Sequence, residues 1–459
     1  MTAPAAVHPA DFEPSLVAER TYISRRRFTR IDAAMVISLM VILLTLVPAR
    51  LIVPNMTDLG RPALIIGMLL FVWWMVARLN PRLVLLGPQP MRWAVFGYLM
   101  SVLISYPIGL LRGLTSIEAN SADRALLTAA VFVGVILMTA DGLPNWARMR
   151  SVLQVFVWCC SAMAVIGLMQ FILYMDVTQF ITIPGLQAKG WVPELEIRGS
   201  GIRVASTTSH YIEFSTIMAI ALPFGIHFAV FSATRLRRQM FAIAALCIAA
   251  GVPATMSRTG FIGLGIVVLV MLPIWGWRMR YNMLALGTCM VAGMIVAKPA
   301  VWSTINGMFA GAAEDPSITA RTKRYEMWNY YFAQRPWFGR GTGTWVWPQY
   351  QYLDNQWLAT ALTNGLVGVS MLAALHITGI VLAIIAMRRS VTYADRHLCA
   401  ALIASQLVAI FVGATFDSFS FSSYLIVLSL MLGLCGTVWR FTHPKRQVRT
   451  STPWLGRVG

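Results

Sequence analysis

Residues 211–231 read YIEFSTIMAIALPFGIHFAVF, a run with no Lys or Arg and with Glu213 as its single carboxylate. A helix rising about 1.5 Å per residue needs about 20 residues to cross a hydrocarbon core of about 30 Å. A core helix of a soluble protein would keep a polar stripe, whereas this run is apolar all round.

Comparable runs lie at 31–49, 62–77, 93–111, 124–140, 151–174, 240–254, 260–276, 281–298, 356–387, 397–416 and 421–440. Hydrophobic residues make up 58% of the chain and charged residues 12%. The charged share is about half that of an ordinary soluble domain, so no polar domain is left over. The expected fold is an all-α, polytopic integral membrane protein with about twelve transmembrane helices. A membrane domain over 31–440 is flanked by tails at 1–30 and 441–459. The polar first tail precedes a full span without a small-residue cleavage site, which reads as an uncleaved anchor.

A formal net charge of +19 would suit a nucleic-acid partner, but the basic residues cluster between apolar runs, where topology signals belong. Alternate connections hold Arg78, Arg82 and Arg92; Arg148 and Arg150; Arg235, Arg237 and Arg238; Arg278 and Arg280; Arg388, Arg389 and Arg396. With these inside, both termini are cytoplasmic. The remaining connections hold most of the acids and two long extracytoplasmic loops, at about 176–210 and 299–355. Both loops are rich in Trp, Tyr, Gly and Pro, which argues against disorder, and long loops in a compact protein tend to be functional. In the second, Ser317-Ile-Thr319 and Pro336 bracket a helical stretch, 320–333, on which Arg321, Arg324, Trp328 and Tyr331 share a face. The run from 356 exceeds one straight crossing, and Asn364-Gly365 is its expected break.

The six cysteines fall in apolar runs without metal-site spacing, and no phosphate loop or dinucleotide fingerprint occurs in a fitting context. The sequence therefore points to no metal and no cofactor.

Against the inside bias, Arg198, Arg203, Arg258, Arg321, Lys323, Arg324, Arg335 and Arg340 fall on the outer side. Each reads either as a snorkelling or loop-paired cation or as part of an anion site. Arg258, alone in the tight turn Met256-Ser-Arg-Thr-Gly260, favours the anion site. Guanidinium groups grip phosphate bidentately and keep their charge. Glu213, in the first turn of a span, is a functional carboxylate or a partner of the helix N-terminus and Arg203. Asp354 is a general base or a helix cap. His210 is a polar loop residue or a sugar contact. Trp328, Tyr331 and Trp345 belong either to an interfacial aromatic belt or to faces on which sugar rings stack.

Four segments then fall in a fixed order. They are Arg203-Val-Ala-Ser-Thr through Glu213 to Ala221-Leu-Pro223; Thr255-Met-Ser-Arg-Thr-Gly260; Ala320-Arg321 through Trp328 with Arg335-Pro-Trp-Phe-Gly-Arg-Gly-Thr-Gly343; and Leu353-Asp-Asn-Gln-Trp-Leu358 with Asn364-Gly-Leu-Val-Gly368. Over about 198–370 this set resembles the O-antigen ligase and Wzy-type polymerase superfamily of bacterial membrane glycosyltransferases. The resemblance implies transfer of a glycan from a polyprenyl-pyrophosphate donor to an acceptor hydroxyl, without a metal, at the outer face of the cytoplasmic membrane. By that likeness Arg203, Arg258, Arg321 and Arg324 would hold the pyrophosphate, and Asp354 or Glu213 would accept the hydroxyl's proton or orient the sugar. The implied partners are the lipid-linked donor, a glycan or lipid acceptor, the bilayer and other polysaccharide export components. Ligases that cap lipid A carry His where Asp354 stands, and the segment after Arg203 has His210 in place of a Gly and Asn-Pro pattern. These departures point to a polymerase for an exopolysaccharide or O-antigen-like repeat, with a ligase as the alternative. A flippase or transporter is the competing class, although transporters usually gather charge near the bilayer midplane.

Overall fold

The computed structural model describes residues 32–56, 58–79, 87–189, 196–198, 201–297, 299, 302–303, 306–307 and 316–444. The first tail, the second tail from 445 onward and residues 308–315 of the second long loop lie outside the described residues.

Among the described residues the helices are α1 (Ala33–Leu46), α2 (Pro62–Arg78), α3 (Pro90–Leu111), α4 (Ser116–Gly142), α5 (Trp146–Leu173), α6 (Tyr211–Phe231), α7 (Arg235–Ala254), α8 (Arg258–Met271), α9 (Trp277–Ala297), α10 (Pro316–Gln334), α11 (Gln356–Arg389), α12 (Tyr393–Gly413) and α13 (Ser422–Thr442). α3–α7 and α11–α13 are long and apolar enough to cross a membrane, and α1, α2 and α8 are shorter apolar helices. The protein is an all-α polytopic membrane protein. α6 and α13 form its centre, with 83% and 89% of their most apolar windows buried. α13 packs on α4 and α11, and α6 packs on α7, α8 and α12.

Local chemistry sets the helix ends. α4 starts at Ser116 rather than 124 because Thr115 and Glu118 form a reciprocal capping box that satisfies N–H groups of the first turn. The loops also hold short strands that hydropathy did not reveal. β1 (Leu51–Ile52) pairs antiparallel with β2 (Gln187–Ala188), and β3 (Glu196–Arg198) pairs with β4 (Gly201–Arg203). Backbone groups folded against a bundle need partners, and pairing two loops supplies them.

The break in α11 falls at Gly365, with φ 71° and ψ −170°. It exposes carbonyls and N–H groups that the helix would otherwise pair. The loop after α10 takes them up. Arg340 N donates to Leu362 O (3.0 Å), Gly341 N to Thr363 O (3.0 Å), Leu366 N to Pro336 O (2.8 Å) and Val367 N to Trp337 O (3.1 Å). Ser105 Oγ adds a bond of 2.7 Å to Thr363 O. Irregular backbone at membrane depth is tolerated only when protein covers it in this way. The fit leaves no room for side chains. A Cβ on Gly365 would stand 2.2 Å from Trp337 O, and one on Gly339 2.3 Å from the Thr363 carbonyl.

Gly365→Ala is expected to lower the apparent melting temperature in detergent steeply, by the equivalent of about 3 kcal/mol or more, because strain and clash add. Gly113→Ala, at φ +80° with nothing within 4 Å, is expected to cost only the left-handed backbone penalty of about 1–2 kcal/mol. Equal shifts for the two would refute the packing of the break.

Candidate functional site

Loops at one end of the bundle are tied together by side chains of sequence-distant segments. Thr207 Oγ1 donates to Thr45 O (2.5 Å), Arg61 Nη2 to Ser423 Oγ (3.0 Å) and Thr259 Oγ1 to Thr415 Oγ1 (3.0 Å). At this end α2, α4, α6, α8, α11 and α13 begin, so each directs its N-terminal partial positive charge toward the same region.

Asp354 lies here, in the turn before α11. Its backbone is left-handed, at φ 51°, and its carboxylate receives Arg324 Nη1 at 2.6 Å. The Asp354 side chain is 38% exposed, so a substrate can reach it. Asn355, not Asp354, caps α11, accepting from Trp357 N and Leu358 N. Arg324 projects from α10, which is pinned a turn later by Trp328 Nε1 donating to Leu358 O (3.0 Å).

Tyr331, another turn on, packs edge-to-face on Trp345 and Tyr350. These three rings enclose the guanidinium of Arg340, which lies 4.5–5.4 Å from their centroids. Arg340 also donates to the Tyr350 hydroxyl (2.5 Å) and meets Glu118 at 3.5 Å. Tyr331 and Trp345 therefore pack around an arginine of the chain itself. Arg321 lies on α10, three residues before Arg324, and its side chain is outside the described part.

Arg203 ends β4, pairs with Glu196 at 2.9 Å, donates to the Tyr211 hydroxyl and lies over the Tyr211 ring at 4.4 Å. It does not pair with Glu213, as the sequence suggested. Glu213 is fully buried. Its oxygens accept from Ser209 N (3.0 Å), Ser209 Oγ (2.8 Å), Ser423 N (2.8 Å) and Tyr424 N (3.0 Å). It thus joins the start of α6 to the start of α13. Arg61 reaches Ser422 and Ser423 in the same corner. Arg61 was not among the outward cations singled out by sequence, and its signal was its place directly before Pro62 at a span start.

His210 caps α6. Its Nδ1 accepts from Ile212 N (3.2 Å), so in the neutral ring Nε2 carries the proton. Its ring meets those of Tyr211 and Phe421. Burial pushes its pKa below the usual value; Arg203 adds to this, while Glu196, Glu213 and Asp354 oppose it. Through Tyr211, which its ring meets and to which Arg203 donates, His210 adjoins Arg203.

Arg258 opens α8 after Ser257 and the left-handed Met256. The adjacent Thr259–Thr415 bond ties this turn to the connection between α12 and α13. That connection also carries Asp417, whose carboxylate accepts from the N–H groups of Leu353 (3.1 Å), Asp354 (3.2 Å) and Asn355 (3.0 Å). In sequence Asp417 was one outer acid among many. Its distinguishing mark was its place in a short turn between two long apolar runs.

A comparison with protein-family models matches residues 243–373 to the family described as O-antigen ligase. The match supports assignment to the O-antigen ligase and Wzy-type superfamily. It spans Arg258, Arg324, Asp354 and the break in α11, and stops short of Arg203, His210 and Asp417 on either side. No curated protein matches the chain.

Because its pKa is depressed on folding, neutral His210 contributes stability that is present above the unfolded value of about 6.5 and is lost as pH falls through the lower folded value. Between about pH 7.5 and 5 the wild-type melting temperature should fall more than that of His210→Asn, which keeps a capping side chain. Parallel curves would show that the imidazole is not buried in this way.

Proposed function

We propose that this chain, which carries an O-antigen ligase-type domain over residues 243–373, transfers polyprenyl-pyrophosphate-linked glycan to an acceptor hydroxyl. The observation that carries this is the Arg324–Asp354 pair. It is accessible, and the turn between α12 and α13 links it to the Arg258 turn and to His210, beside which Arg203 meets Tyr211. Pairing a carboxylate base with guanidinium groups suits a reaction that removes a proton from a nucleophile while a pyrophosphate departs.

The acceptor hydroxyl gives its proton to Asp354 as its oxygen bonds to the donor's anomeric carbon. The bond from that carbon to the pyrophosphate oxygen breaks, and polyprenyl pyrophosphate leaves with the electron pair. Arg203, Arg258, Arg321 and Arg324 hold this leaving group. Positive charge aimed at the oxygens where charge develops is the principal means of acceleration, and the N-terminal ends of α6, α8 and α11 add to it. Asp354 takes the base role in preference to Glu213, whose oxygens are already engaged by four donors. In this reading His210 donates from Nε2–H to a sugar hydroxyl or a phosphate oxygen, its Nδ1 being occupied by Ile212 N.

Orientation follows from the opposite end, which holds Arg78 and Arg92 on Asp141, Arg148 on Asp32 and Arg150 on Asp395. With Arg235, Arg237, Arg238, Arg278 and Arg280 beside them in the sequence's inside connections, the positive-inside rule puts that end in the cytoplasm. The site then faces outward on a bacterial cytoplasmic membrane, with about twelve spans and both tails inside. Asp rather than His at 354 favours polymerisation of repeat units, and the family's description favours ligation.

Purified protein in nanodiscs, given its host's lipid-linked repeat units and EDTA, is expected to consume donor and form glycosidic product. Arg258→Ala should slow this about 100-fold or more, and Asp354→Asn about 100-fold or more. A ladder of products identifies a polymerase and a single addition a ligase. Donor that stays chemically intact, or activity indifferent to both substitutions, would overturn the proposal.

A further inference from the structure

The connection between α12 and α13, residues 414–421, touches three parts of the candidate site: the Arg258 turn, the start of α11 and His210. Thr415 receives Thr259 beside Arg258. Phe419 N donates to Gln356 Oε1 at 2.7 Å. The Phe421 ring meets that of His210 at 5.5 Å. Just beyond, Ser423 and Tyr424 bind Glu213 through their N–H groups. This connection lies outside the segment that matches the ligase family.

Its most specific contact is that of Asp417. Oδ2 accepts from Leu353 N and Asp354 N, and Oδ1 from Asn355 N. Successive N–H groups converge on one anion at a helix start or, as in an anion-binding nest, where the backbone changes hand. Here the left-handed residue is Asp354, at φ 51°. A non-glycine residue in that conformation is strained, by an amount of order 1–3 kcal/mol, and persists only where its surroundings hold it. Asp417 supplies that hold. It gathers the three N–H groups on one side, and the Asp354 carboxylate meets Arg324 at 2.6 Å. The Asp417 oxygens are turned to backbone, so Asp417 does not contact the reacting atoms.

We infer that Asp417 is a positioning residue for transfer, fixing the left-handed turn that aims the Asp354 carboxylate at Arg324 and at the acceptor hydroxyl. This rests on the proposed glycosyl transfer. The anchor of this turn comes from outside the matched segment, from the connection between α12 and α13.

Asp417→Asn keeps the shape but opposes an amide NH2 to at least one of the three N–H groups. Small displacement of a reacting group costs about 100-fold, so Asp417→Asn should slow donor consumption by about that factor. In an Asp354→Asn background the same change should add little, because Asp417 acts through Asp354; a purely structural role would multiply the two losses. Hydrogen exchange, followed by mass spectrometry on the 350–358 region, gives a readout independent of activity. The amides of 353–355 should be slow in wild type and fast in Asp417→Asn. Should Asp417→Asn fail to give monodisperse protein, Asp417→Glu retains the acceptors and should keep much of the protection with reduced turnover. An active Asp417→Asn, multiplying losses, or unchanged exchange would overturn the inference while leaving the transfer proposal intact. Wild type inactive with all donors would overturn the transfer proposal, and exchange would then decide whether Asp417 holds the turn.

Discussion

Backbone polar groups near a hydrocarbon phase must find partners within the protein, and this requirement shapes the whole site end. α11 must break at Gly365, and the break is viable only because residues 336–341 bind the carbonyls and N–H groups that it frees. That pairing fixes the loop after α10. Trp328 and Arg324 then tie α10 to the start of α11. The same requirement acts at helix starts, where carboxylates take up N–H groups: Glu213 at α13, Glu118 at α4 and Asp417 before α11. Acids on this side are therefore structural in several places, whereas Asp354 stays partly exposed and meets Arg324.

The apolar helices, eight of them among the described residues long and apolar enough to span, were legible because continuous apolar runs report directly on the solvent a helix faces. Every run appears as a helix, and the break at Asn364-Gly365 and the helix ending before Pro336 follow from rules that are local in sequence. Helix starts were less legible. The early start of α4 depends on the capping box at Thr115 and Glu118, polar residues that a hydropathy window counts as loop. The paired strands escaped notice because two- and three-residue segments carry no periodicity.

The candidate site was legible in composition and order, and much less so in partnership. Short motifs singled out Arg203, Arg258, Arg324 and Asp354 as candidates. What each side chain meets depends on segments far apart in sequence, 210 residues for Glu213 and Ser423 and 156 for Thr259 and Thr415. Arg203 meets Glu196 instead of Glu213 because a hairpin turns β4 back on β3. Tyr331 and Trp345 read as sugar platforms by type, yet they enclose Arg340, which glycines at 339 and 341 carry into their midst. Asp417 had no motif, and only the fold shows that it accepts from the N–H groups of residues 353–355.

An experimental density map of the protein in nanodiscs, bound to a non-transferable lipid-pyrophosphate glycan, tests the arrangement most directly. The pyrophosphate should lie among the guanidinium groups of Arg203, Arg258 and Arg324, with the glycan's anomeric carbon on the side of Asp354. A pyrophosphate bound at the opposite end of the bundle, or at the bilayer midplane away from these groups, would contradict glycosyl transfer at this site and favour transport.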